Sequence, residues 1–262
     1  MYVAPAVVVE AQRLLWAFLR ERLRQDGIAG VPEALDEHIA PHDAWLDPRL
    51  LLAQTCGFPF VKHLRGRVRL VATPVYQAPG CQGPTMCSVI VVREEGAPPS
   101  LAACAGLAVA INERGSNSGY NLLRAAVAPH AGGKPFFSSV TETGGHLASM
   151  EAVRAGKADL AAIDCITYDL LRRHAPGRLD GLSILTQTPA GPNLPFITRL
   201  SAPDEEVFAL RAALKAAITT PDLADARAIL GLTDVVVLEE GAYESLLGHE
   251  AAAIAAGYPD LP

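Results

Sequence analysis

The stretch Leu107-Ala108-Val109-Ala110-Ile111-Asn112-Glu113-Arg114-Gly115-Ser116-Asn117-Ser118-Gly119 decides how this chain folds. Its five apolar residues predict a strand, and the small polar turn after them predicts a helix start. The pattern recurs twice: 136–140 runs into Thr143-Gly144-Gly145-His146, and 158–163 runs into Asp164. Strand–helix alternation of this kind implies parallel pairing in an α/β sheet. Ligands of such sheets bind beyond the carboxyl ends of the strands. Helix starts there offer unpaired N–H groups and a positive dipole end, which suit an anion.

Outward from this stretch, the chain reads as scaffolding. Residues 11–24 predict an amphipathic helix with Leu15, Phe18, Leu19, Arg22 and Leu23 on one face, closed by Gly27 and Gly30. Asp47-Pro48 reads as a helix cap with proline first, and 50–52 as a strand ending at Gln54-Thr55-Cys56-Gly57. Residues 68–76 and 88–93 predict two antiparallel strands, and the proline-rich 94–100 a crossover. Helices are expected over 120–128 (stopped by Pro129), 147–155 (stopped by Gly156) and 166–173. A strand at 182–185 and a return crossover at 188–197 precede a helical last quarter. There Val207, Leu210, Leu214 and Ile218 line one helix, Thr220-Pro221-Asp222 opens a second, and Gly231 closes it. A short strand at 235–238 and a final helix at 242–256 follow. The expected fold is therefore two-lobed α/β. Each lobe is a mostly parallel sheet flanked by helices, and two crossover segments join them. Residues 1–93 and 184–262 make lobe 1; 94–183 make lobe 2, which carries the helix N-termini.

The 262 residues, half of them hydrophobic, suffice for one large domain or two modest lobes. A net charge of -6 offers no basic field for nucleic acid or an anionic membrane, so any anion must be held by local donors. No stretch reaches the roughly 18 apolar residues of a membrane span. Val7-Val8-Val9 is followed at once by Glu10 and Arg13 with no basic segment before it. The expectation is a chain without a signal peptide: periplasmic if it is a trimmed mature form, otherwise cytoplasmic. The five cysteines form no CxxC pair and the histidines are scattered, so neither a metal site nor a cofactor is expected. Cys56 and Cys81 lie in glycine-flanked turns and would bridge in an oxidising compartment. Cys87, Cys104 and Cys165 read as small buried hydrophobes.

Ser116-Asn117-Ser118-Gly119 gathers two hydroxyls, an amide and a glycine at a helix start, enough donors to hold an oxyanion without a lysine. Helix capping by Ser118 is the plain alternative. His146 can donate to an anion or stand exposed at a helix start. Asp164, closing an apolar run, can accept from a protonated oxygen, pair with an ammonium group, or cap the next helix. Gln54, Thr55 and Tyr76 end strands of the first lobe and either face the same cleft or are turn residues. A Cys56–His146 or Cys165–histidine pair would signal nucleophilic chemistry, but nothing in the sequence joins those residues.

Seven segments recur in order: 51–57, Thr73-Pro74-Val75-Tyr76, Gly80-Cys81, 116–120, Gly144-Gly145-His146, 161–165 and Leu194-Pro195-Phe196-Ile197. Together, across about 16–198, they resemble the phosphate/phosphite/phosphonate-binding proteins of ABC importers, which have the type II periplasmic-binding-protein fold. The resemblance implies a hinged clamp, acting as a monomer, that delivers a small oxyanion to an ABC permease. Ser116, Asn117, Ser118, Gly119 and His146 would hold the anion from lobe 2, and Asp164 would read a protonated oxygen or an amino group. Gln54, Thr55 and Tyr76 would close from lobe 1. Two other readings follow in rank: a cytosolic ligand sensor, then a small-molecule enzyme built on Cys165, His146 or Asp164.

Overall fold

The computed structural model describes residues 2, 5–36 and 39–261. The chain opens with α1 (Ala6–Gln25), α2 (Pro41–Trp45), β1 (Ala53–Gln54) and the single turn α3 (Gly57–Pro59), which widens into a π-type turn at Phe60–Leu64. Next come β2 (Val68–Tyr76), β3 (Cys81–Gln82), β4 (Thr85–Met86) and β5 (Ser88–Arg93). β6 (Ala108–Ile111) leads through a π-type turn, Asn117–Asn121, into α4 (Leu122–Ala131). β7 (Ser139–Glu142) leads into α5 (His146–Arg154), and β8 (Leu160–Asp164) into α6 (Cys165–His174). β9 (Leu182–Gln187), β10 (Gly191–Pro192), β11 (Phe196–Arg199), α7 (Asp204–Thr219), α8 (Ala224–Leu230), β12 (Leu232–Val236) and α9 (Glu244–Ala255) complete it.

The α/β architecture with helix-flanked sheets is as expected. One sheet has the order β7-β6-β8-β5-β9, a second β1-β11-β2-β12, and a third, small one β10-β4-β3. In the five-stranded sheet β7, β6 and β8 run parallel, so their carboxyl ends share one edge. β5 is antiparallel to β8, with Ser88 opposite Asp164, and β9 is antiparallel to β5, with Gln187 opposite Val89. The start of β5 and the end of β9 therefore lie at that same edge. There the Thr188 N–H donates to the Ser88 carbonyl (2.9 Å) and the Ser88 N–H to Thr188 Oγ1 (2.9 Å). The two chain crossings are thus tied together where the parallel strands end.

Four expectations about pairing and connection are corrected. β5 pairs with β8 and β9, not with the strand at 68–76. Its residues 88–92 are all buried, the mark of an inner strand covered on both faces. The first crossing consequently falls near Cys87 rather than at 94–100. All pairings of the four-stranded sheet are antiparallel, so "mostly parallel" holds for neither that sheet nor the whole. A third crossing brings α9 from the four-stranded sheet onto α4. There Ala253, Tyr258 and Leu261 join the core of Val109, Ile111 and Leu123, and Arg124 bonds the Pro259 carbonyl at 2.6 Å.

Local boundaries shift for identifiable reasons. α1 begins at Ala6 rather than 11 because Val8, fully buried, repays the low helix propensity of a valine run. Leu19 and Leu23 lie inside as expected, but Arg22 is exposed and pairs with Asp26. Asp47-Pro48 starts no helix: Asp47 Oδ1 takes the Arg49 N–H at 2.7 Å, closing a turn. Pro129 lies inside α4, near its end; buried Ala128 and Ala131 hold that turn, and Gly132 (φ 57°) ends it. β1 is Ala53–Gln54 rather than 50–52, and β12 is Leu232–Val236 rather than 235–238.

Candidate ligand-binding site

The carboxyl ends of β6, β7 and β8 deliver three polar turns to one place. After β6, Ser116 caps the turn: its Oγ accepts the Gly119 N–H at 3.0 Å. Capping thus falls to Ser116, not Ser118. The turn presses on Asn112, and a Cβ at Gly119 would lie 2.8 Å from Asn112 Cγ, so a side chain there would have to push the Asn112 amide aside. The first-turn N–H groups of Asn117 and Ser118 have no carbonyl partner within the turn. The Asn117 N–H lies against the Cys56 thiol.

His146, opening α5, turns inward. Its Nε2 lies 2.9 Å from Ser118 Oγ, 3.2 Å from Asn112 Nδ2 and 3.4 Å from the Asp164 backbone nitrogen. The last two are N–H donors, and Nδ1 is buried with no hydrogen-bond partner among the described residues. Desolvation pushes the imidazole down to about 4, outweighing the Ala162 carbonyl, which favours the charged ring. At neutral pH His146 is uncharged and orients Ser118. It adds no positive charge for an anion.

Asp164 closes β8 with its side chain 2% exposed. Its Oδ1 accepts the N–H groups of Ile166 (2.8 Å) and Thr167 (3.0 Å), capping α6, and its Oδ2 accepts the Tyr2 hydroxyl at 3.4 Å. Burial raises the carboxyl to about 6 against these three bonds, which pull it down. Helix capping and a buried acceptor are here one residue.

The four-stranded sheet reaches the same place from the other side. Gln54 Nε2 donates to the Leu194 carbonyl at 3.2 Å, and its side chain also bonds Tyr76. The buried Thr55 is held by its backbone N–H on Pro195 (3.1 Å) and turns its hydroxyl to the Cys56 carbonyl (3.3 Å). Tyr76 stands edge-on to Tyr2, ring centres 5.8 Å apart. Thus Gln54, Tyr76, Tyr2 and Asp164 form one chain of contacts, and Cys56 meets Asn117.

A family model described as "ABC transporter, phosphonate, periplasmic substrate-binding protein" matches residues 4–243. The chain belongs to this family. A binding-protein component of an ABC phosphonate transporter from Pseudomonas aeruginosa, PA3383, is similar in structure, with TM-score 0.76 and 17% identity over 93% of this chain and 82% of that one. PhnD1 from Prochlorococcus marinus, solved with methylphosphonate, aligns with TM-score 0.73 and 13% identity over 95% and 94%. XAC2383 from Xanthomonas citri, solved with ATP, gives 0.69 and 19% over 95% and 94%. No curated protein is significantly similar to the chain. This is a substrate-binding protein of ABC import, with the type II periplasmic-binding-protein fold and the periplasmic location its family implies. Among the described residues no helix is long and apolar enough to cross a membrane.

In this family member, four polar partners at the site carry little or no mark in the sequence. Tyr2 is a lone aromatic near the chain start. Asn112, Ser88 and Thr188 are ordinary strand-end residues. Ser88 Oγ donates to the Ser118 carbonyl at 2.9 Å, linking the crossing to the 116–119 turn. Only Asn112, following an apolar run, carried any positional hint. Cys56 and Cys81 are both free, and the neighbour of the Cys81 sulfur is Cys165, so the expected Cys56–Cys81 bridge is not formed. Burial pushes the Cys56 thiol up to about 12, and Cys165 is also raised, which leaves neither an activated nucleophile.

Proposed function

We propose that this chain clamps a small phosphorus oxyanion (phosphonate, phosphite or phosphate) between two lobes and presents it, as a monomer, to an ABC permease. The lobes in this reading are built on the five-stranded and four-stranded sheets and hinge where Ser88 and Thr188 tie the crossings. The observation that carries it is that the N–H groups of the 117–118 helix start, the buried Asp164 and the Gln54–Tyr76 pair from the opposite sheet are linked through His146, Tyr2 and Cys56. The N–H groups and the Ser116, Ser118 and Asn117 side chains hold the anion. His146 keeps Ser118 in place, and Gly119 allows the approach of Asn112. Asp164 accepts from a protonated oxygen or takes an amino substituent. Gln54, Thr55 and Tyr76 close over it. Hydrogen bonds of this kind strengthen in a dewatered cleft. Cys56 and Cys165, the thiols beside the site, are both raised, which supports binding over thiol catalysis.

Calorimetric titration with phosphite, methylphosphonate, aminoethylphosphonate, phosphate and sulfate tests this. Binding of one or more phosphorus oxyanions, with sulfate at least tenfold weaker, is expected, because fully ionised sulfate has no proton to give Asp164. Ser116→Ala and Ser118→Ala should each weaken the preferred anion. Unchanged dissociation constants in both would remove the 116–119 turn from the site.

A further inference from the structure

Three cysteines meet beside the site at the point where the chain crosses between sheets. Cys81 Sγ lies 3.7 Å from Cys165 Sγ. The backbone already joins their segments: the Cys87 N–H donates to the Gly80 carbonyl (3.1 Å), and the Cys165 N–H to the Cys87 carbonyl (3.2 Å). Gly80 makes the approach possible. With φ at 100° and a Cβ position 2.8 Å from Cys87 Sγ and 3.0 Å from Cys165 Cβ, no side chain fits there. The three differ in access. Cys87 and Cys165 are buried, whereas Cys81 is partly exposed and lines a cavity of about 890 Å³ with Tyr76, Gln77 and Gly83. Cys165 is the first residue of α6, next to Asp164, and Cys81 opens the small β3–β4–β10 sheet. A bond between them would join that small sheet to the helix that Asp164 caps.

We propose that Cys81 and Cys165 are a dithiol pair that closes to a disulfide by exchange with a low-molecular-weight disulfide. Cys81, the reachable thiol, attacks the reagent RSSR as thiolate. It forms Cys81–S–S–R and releases one RSH. Cys165 then attacks the Cys81 sulfur, losing its proton, and displaces the second RSH. Two protein thiols are oxidised and one RSSR is reduced to two RSH. A periplasmic family works in a compartment where such exchange runs toward the disulfide. The closed loop spans most of the five-stranded sheet, so the bridge removes many conformations from the unfolded chain.

Incubating the reduced protein with oxidised glutathione, then mapping peptides without reduction, tests the pair. Free thiols should fall from five to three, with one cross-linked species joining the peptides of Cys81 and Cys165. The melting temperature should rise by roughly 5–10 °C and return on reduction. Cys81→Ser, at a partly exposed position, should fold and show no oxidant-dependent shift. A bridge containing Cys56 or Cys87, a glutathione adduct that remains on Cys81, or five free thiols after excess oxidant would each overturn the proposal. The readout needs no ligand, so it stands or falls apart from the anion assignment.

Discussion

The two large sheets contribute to the site in opposite ways. The five-stranded sheet sends three parallel carboxyl ends to one edge, so three helix starts and their polar turns arrive together. The four-stranded sheet is antiparallel throughout, and its strand ends point both ways. It offers a two-residue strand, Ala53–Gln54, and the terminus of β2 at Tyr76. One side also makes a side-chain network around His146, while Thr55 on the other is held by main-chain bonding to Pro195. The comparison teaches that strand polarity divides the labour of the proposed clamp: the parallel edge gathers helix starts suited to charge, and the antiparallel sheet supplies the side proposed to close.

The largest expected effect breaks or confirms that division. Asp164→Asn keeps a cap for α6 but removes the charged acceptor. Bonds to charged groups contribute about 1.5–3 kcal/mol, so affinity for the preferred phosphorus oxyanion should fall roughly 100-fold. Gln54→Ala on the other side removes neutral bonds and should cost roughly tenfold or less. Calorimetry on both variants decides. A larger loss from Gln54→Ala would mean that the closing side carries the recognition.

How much of this was legible follows the same divide. Residues 107–111, 136–140 and 158–163 announced their strands and turns because apolar runs ending in small polar residues have one good reading in an α/β chain. Ser116, Ser118, His146 and Asp164 stand out that way, and Ser118 and the Asp164 main chain both meet the His146 ring. Their division of roles was not legible, since Ser116 rather than Ser118 caps, and His146 is uncharged for want of solvent. Both facts depend on packing from other segments. The pairing of β5 was misread because 88–93 is β-rich without saying which neighbour covers it; full burial of 88–92 appears only in three dimensions. Tyr2 reaches Asp164 across 162 positions of sequence, and no local pattern encodes such a contact.

The second effect sharpens the contrast within the recognising side. Asp164 is raised to about 6, above its unfolded value, so the folded state binds the extra proton between roughly pH 4 and 6. Its contribution therefore grows as pH falls through that window. His146, lowered to about 4 from an ordinary value near 6.5, is protonated first in the unfolded chain. Its contribution is lost as pH falls over nearly the same window. The two slopes, about 1.4 kcal/mol per pH unit each, oppose one another. Relative to the parent, His146→Gln should gain stability on acidification from pH 6 to 4, and Asp164→Asn should lose it. Denaturant melts across that range measure both. Parallel curves for parent and variants would mean that neither group is buried as the geometry requires.

The smallest effect separates holding the turn from holding the anion. Among the described residues Ser116 Oγ accepts the Gly119 N–H, a bond made with no ligand present. Loss of such a cap costs about 1 kcal/mol, so Ser116→Ala should lower the melting temperature by roughly 2–4 °C without ligand. Ser118→Ala leaves that cap intact and removes the hydroxyl facing His146 Nε2, which keeps the Asn112 and Asp164 N–H donors. Its ligand-free melting temperature should fall less. Anion binding should invert the order, because the Ser118 hydroxyl faces His146 at the proposed site, whereas the Ser116 oxygen is already shared with the Gly119 N–H. Should Ser118→Ala prove the more destabilising without ligand and the milder in binding, the hydroxyl–imidazole contact would belong to the fold, and Ser116 would carry more of the anion contact than Ser118.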